Sequence, residues 1–143
     1  MMRKLIVAYK FGARYGGALS PQEGINVYDL HAQANGGKVL FTINKAPAPE
    51  YRDFIKEIIL MTKDGSFAIH ADVDCLGRYS IMGPPSDYIV PSIWNNEAKE
   101  CLGWFALSNL KRIEIKRGDY TSVNSKDLLD SMSGNAYMAY IEI

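Results

Sequence analysis

Cysteine and histidine are scarce in this chain, with two of each among 143 residues. Cys75 and Cys101 fit no C-x-x-C or zinc-like spacing, so a zinc ribbon or disulfide framework is excluded and the thiols suit a reduced, cytoplasmic protein. Charge of one sign is also lacking. Sixteen basic residues offset sixteen acidic ones, so no global field marks a duplex-DNA binder and any basic patch must be local. Long hydrophobic runs are missing too: behind Met1-Met2-Arg3-Lys4, the run Leu5-Ile6-Val7-Ala8 ends at Tyr9 and Lys10. That is too short for a signal peptide or a membrane span, and it reads as an N-terminal strand. No G-x-G-x-x-G after a strand, P-loop, H-E-x-x-H or G-x-S-x-G elbow occurs, which favours binding over catalysis without excluding an enzyme.

What is present reads as one domain over residues 1–143, large enough for a single core without staples. The cluster Gly16, Gly17, Pro21 and Gly24 predicts a surface loop from Gly12 to Gly24, and Asn26–Ala34 a short helix stopped by Asn35-Gly36-Gly37. Lys38–Asn44 reads as a strand. Tyr51, Phe54, Ile55 and Ile58 fall at helical spacing behind Pro49, predicting a helix that ends at Asp64-Gly65. From Ser66 to Cys75 a period of two predicts a strand with one buried face, bent at Gly77, with Arg78–Met82 returning. Further strands are expected over 104–107, 110–116 and 137–143, and a short capped helix over Ser125–Asp130. Strands joined by tight turns as often as by helices favour an α+β fold, a small mixed β-barrel with peripheral helices, over a repeated β-α-β sheet.

Three constellations carry chemistry. Trp94 and Trp104, the only tryptophans, lie eleven positions apart counting both ends. One follows a Pro-Ser turn signal beside Asn95 and the other opens a strand, so two indoles are available to wall a pocket for a flat ligand. Stacking a base on an aromatic ring is worth roughly 1–3 kcal/mol, although core packing is the simpler account of both rings. Lys111, Arg112, Lys116 and Arg117 crowd into seven positions with only Glu114 against them. Arg112 and Lys116 share a strand face by their even separation, so the four can hold phosphates or merely guard an edge strand. His70, Asp72 and Asp74 also share one face. About 6.6 Å between alternate residues is too wide for a compact metal site without a bulge, so a polar outer face is the simpler account.

The order of elements, with Gly103-Trp104-Phe105-Ala106-Leu107-Ser108-Asn109-Leu110-Lys111-Arg112-Ile113 after a Trp-bearing loop, resembles the PUA-like superfamily, and within it the EVE and YTH branch. The likeness covers approximately residues 38–116, leaving 1–37 as a strand, loop and short helix added to the barrel. It implies a module that binds a modified base, a nucleotide or single-stranded nucleic acid in an aromatic cage without a cofactor. Trp94 matches the loop tryptophan, and Asn44 lies where the first barrel strand presents polar contacts, with Lys45 beside it at the pocket floor. Trp104 takes an aromatic position that is often core in the family, in which case Tyr79 or Tyr88 would supply the second wall. A two- or three-tryptophan cage, as in methyladenosine readers, cannot be met by this chain. The related ASCH domains imply the alternative of a nucleotide- or nucleoside-processing hydrolase using His70, Asp72 and Asp74. A protein-interaction surface, including that of a homodimer, is the remaining alternative.

Overall fold

The structure is a computed structural model that describes residues 3–12 and 17–143. Six strands form one mixed sheet: β1 (Leu5–Lys10), β2 (Lys38–Ile43), β3 (Ile55–Met61), β4 (Ala68–Arg78), β5 (Gly103–Ile113) and β6 (Met138–Glu142), in the order β2-β5-β4-β3-β1-β6. Only the β1/β3 pairing is parallel. The helices are α1 (Pro21–Ala34) and the short α2 (Pro49–Arg52), α3 (Asn95–Ala98) and α4 (Leu128–Met132). Far from being an appendage, β1 lies inside the sheet between β3 and β6.

Alternation along the strands separates two faces. Leu5, Val7 and Tyr9 of β1, Val39, Phe41 and Ile43 of β2, and Phe105 and Leu107 of β5 pack with Ile25, Tyr28 and Ala32 of α1. On the opposite face, Ile6, Ala8, Ile59 and Met61 meet Ile115, Leu128 and Met132, while Leu40, Trp104 and Ala106 lie under Tyr88 and Val90.

The α1 face is concave. Four strand spacings separate β1 from β2, about 19 Å in a flat sheet, yet the rings of Tyr9 and Phe41 are 5.4 Å apart and those of Tyr9 and Phe105 5.9 Å. The sheet therefore curls until its inward rings meet. The chain leaving β2 completes the bend: Lys45 O accepts from Tyr9 Oη at 3.3 Å and Ala48 N donates to Tyr140 Oη of β6 at 2.8 Å. Still, β2 and β6 stand at the two ends of the strand order and do not pair with each other, so the sheet is curved and open where the sequence predicts a barrel.

Several expectations change at the level of elements. The helix predicted from Tyr51 onward is the single turn α2, and Ile55–Met61 is a strand. Ile58, Ile59, Leu60 and Met61 are all fully buried, as an inner strand covered on both faces requires, and such a run carries no period of two. Phe54, one of the residues that mimicked helical spacing, is exposed. Of the predicted Gly12–Gly24 loop, residues 13–16 lie outside the described residues, and its end is already helix. The Ser20 side chain accepts from Glu23 N at 3.1 Å and Glu23 accepts from Ser20 N at 3.0 Å, a capping box that starts α1 at Pro21. Residues 79–82 form a turn instead of a returning strand.

The two strands predicted over 104–107 and 110–116 are one, β5, ending at Ile113. Between the pairs Asp72–Ser108 and His70–Lys111, β5 advances three residues against two on β4, with Asn109 at φ 55°. This bulge absorbs the polar break in the pattern. Gly77 lies under Trp104, where a Cβ would stand 2.5 Å from the indole Cζ2. We expect Gly77→Ala to cost about 1–3 kcal/mol through overpacking against the buried indole, read as a lower urea midpoint at unchanged slope.

Candidate functional site

At the end of β1 and the exit of β2, the concave face opens into a cleft of about 280 Å³. Its aromatic lining comes from Tyr9, Phe11, Tyr28, Phe41, Trp94 and Tyr137, and Asn44 and Lys45 join it where β2 ends. Trp94 closes a 3-10 turn over Ser92–Trp94, its amide donating to Pro91 O at 2.9 Å. The indole is 5% exposed and stacks on Tyr28 at 6.2 Å and 17°. One face is thus covered, and a ligand meets the other face or the edge.

The polar groups are distributed unequally. Tyr9 is held as a neutral phenol, pushed up by burial and by the neighbouring Tyr140 hydroxyl. Lys10 is committed: its Nζ donates to Met132 O at 2.9 Å and Gly134 O at 2.6 Å, just where α4 ends. Asn44 and Lys45 are exposed. Among the described residues Lys45 makes no ion pair, which leaves its ammonium available at the cleft.

Of the residues singled out from sequence, Asn44, Lys45 and Trp94 come together here. Tyr79 and Asn95 border an adjoining, more open depression of about 520 Å³ with Lys99, and Cys101 stands on the wall of both. Trp104 and Tyr88 are on the other face of the sheet and cannot wall this cleft. Trp104 is 1% exposed and its Nε1 donates to Met82 O at 3.1 Å. The Tyr88 hydroxyl donates to Asp74, a bond that is the main reason its own ionisation is pushed up to about 12.

Nor do the four cations form a row. Lys111 pairs with His70 and Arg112 with Ile69, so they point to opposite faces, and the Arg112 guanidinium lies 4.4 Å from the Phe67 ring centroid. Lys116 is beyond the end of β5, which removes the shared strand face expected with Arg112. Arg117 is paired with Asp130, both contacts at 2.9 Å.

Sequence reasoning missed Tyr9, Phe11, Tyr28 and Phe41 as cleft residues, because the approach of β1 to β2 is a product of curvature that no local pattern encodes. It also missed the partners of the His70, Asp72 and Asp74 row. His70 Nε2 is 2.6 Å from Glu57 Oε1, and Glu57 Oε2 takes Lys4 Nζ at 3.0 Å. Facing a carboxylate, Nε2 is the protonated nitrogen. Asp72 accepts from Asn109 Nδ2 at 3.2 Å, and Asp74 from Ser108 Oγ at 2.9 Å. Each member is thus held by a separate neighbour, on the face away from the cleft. No group of three or more His, Cys, Asp or Glu among the described residues could hold a metal ion, and no helix there is long and apolar enough to cross a membrane.

No protein-family model matches the chain, no curated protein matches it, and no solved structure matches it.

Burial works to raise the Glu57 carboxyl, but hydrogen bonds from Lys4 and His70 outweigh it and hold the group below 4.5. A carboxyl lowered on folding adds stability above that ordinary value and loses it as pH falls through the folded one. Glu57→Gln should therefore flatten the acid limb of the stability profile below 4.5. Urea denaturation across that range measures it, and an acid limb identical to wild type would show that the Lys4–Glu57–His70 contacts add nothing.

Proposed function

We propose that this chain is a binding module for one flat heterocycle: a free or modified base, a nucleotide, or an unpaired base of a single-stranded nucleic acid. The observation that carries the reading is the cleft, where aromatic rings enclose about 280 Å³ and the polar Asn44 and Lys45 stand together. That volume is just below the roughly 300–1,000 Å³ of small-molecule sites, of the size of one nucleoside and too little for a dinucleotide. Aromatic walls supply sequence-tolerant affinity, and a free ammonium supplies attraction for a phosphate that weakens with salt.

The same reading takes the fold as a PUA-like one of the EVE and YTH branch acting in the cytoplasm, supported by a curved mixed sheet with short helices around it. The ASCH-like hydrolase alternative has less support, since His70, Asp72 and Asp74 are engaged one by one and face away from the cleft.

Titration with nucleosides, their 5′-monophosphates and short single-stranded oligonucleotides, followed by tryptophan fluorescence, tests the proposal. Trp104, sealed on the other face, serves as an internal background, so Trp104→Phe should keep the response. Asn44→Ala and Lys45→Ala alter exposed side chains and spare the core. Lys45→Ala should weaken monophosphates roughly tenfold, as expected for a charge-assisted hydrogen bond, and nucleosides less. Fluorescence indifferent to the whole panel would remove base binding as the function.

A further inference from the structure

Resting on the base-binding reading, we infer that the ligand is recognised by main chain as well as by side chains: the N–H and C=O of Thr42 read the Watson–Crick edge of an unpaired base. In an antiparallel ladder the N–H and C=O of one residue point to the same side, and successive residues alternate. Leu40 N donates outward, to Ile89 O at 3.0 Å, so the pair Leu40–Ala106 is not hydrogen-bonded across the ladder. Two residues on, Thr42–Trp104 has the same parity, and the Thr42 N–H and C=O likewise leave the sheet at its open edge. No partner outside the ladder meets them among the described residues.

Thr42 nonetheless lines the cleft. Its side chain belongs with Leu40 on the convex face, since Val39, Phe41 and Ile43 point into the concave core. What Thr42 lends to the cleft is therefore its backbone: one donor and one acceptor, side by side, between the aromatic lining and Asn44.

An edge amide of this kind is satisfied by a ring that carries an acceptor next to a donor. Uracil offers O4 and N3–H, guanine O6 and N1–H, and adenine N1 and an amino hydrogen, all on the edge consumed by base pairing. An extended peptide is a poorer occupant. The chain at Ile89 closes the edge one step away at Leu40, so only a single residue of ladder is open.

The test uses nucleosides methylated on that edge. In the wild-type protein, uridine and guanosine should shift the Thr42 amide signal in a ¹H–¹⁵N spectrum, and 3-methyluridine and 1-methylguanosine should bind at least tenfold more weakly and leave it unmoved. Thr42→Pro deletes the donor at an edge position where proline breaks no ladder bond, and should weaken uridine at least tenfold. Nucleosides that bind regardless of methylation, with the Thr42 signal unmoved in the wild type, would overturn this inference alone. A protein that responds to no nucleoside overturns it together with the base-binding reading.

Discussion

The meeting of Tyr9 with Phe41 and Phe105 across the concave face is the constraint from which the rest of the molecule follows. Rings on strands four positions apart in the sheet touch at 5.4 Å, which requires a strong bend. Burial of these side chains drives it, since each aromatic ring removes 150–250 Å² from water. Bending brings the end of β1 against the exit of β2, and α1 fills the concavity with Ile25, Tyr28 and Ala32. Where α1 stops short of filling it, a cleft remains. The cleft is the unfilled end of the core, and the rings that pack the core also line it.

Strand alternation then decides which residues can share that site. Trp104 and Phe105 are neighbours in sequence, yet one packs under Tyr88 and Val90 and the other against Tyr9. The two tryptophans that look like a pair in the sequence are separated by the thickness of the sheet. Trp94 reaches the concave side because Pro91 and the 3-10 turn carry it over the middle of α1, where it stacks on Tyr28. Gly77 is the counterpart on the convex face, since only a residue without a side chain leaves room for the Trp104 indole over β4.

Elements with a clean local signature were legible in the sequence. The period of two over 66–75, the Asp64-Gly65 turn and the terminal strand all stand near where the pattern puts them. The turn is held by Asp64 accepting from Ser66 N at 3.0 Å, with Gly65 at φ 75°. Where local signal and tertiary burial disagree, burial prevails: Ile55–Met61 carries helical spacing by coincidence and is a strand because neighbours cover both its faces. The start of α1 was readable from Ser20-Pro21-Gln22-Glu23, a capping box masked by the glycines around it. Of the site, the residues that end β2 were legible because a strand must terminate in polar residues. The aromatic wall was not, since it is assembled from five separate segments by curvature.

Curvature also sets the charge at the cleft. Lys10, Lys45 and Glu97 all border it, but Lys10 turns to the carbonyls of Met132 and Gly134 and satisfies the end of α4 instead. A lysine so committed neutralises the negative end of a helix and adds little field at the mouth. Lys45 is left as the unpaired cation, carried on the same short exit from β2 as Asn44 and one residue further from Thr42. On the base-binding proposal, edge and phosphate recognition fall to the four consecutive residues Thr42 to Lys45 at the end of an edge strand, while the stacking rings come from other segments. The proposed ligand would reach the cleft from the open side of the sheet without any strand separating, so access costs none of the ladder that holds the fold.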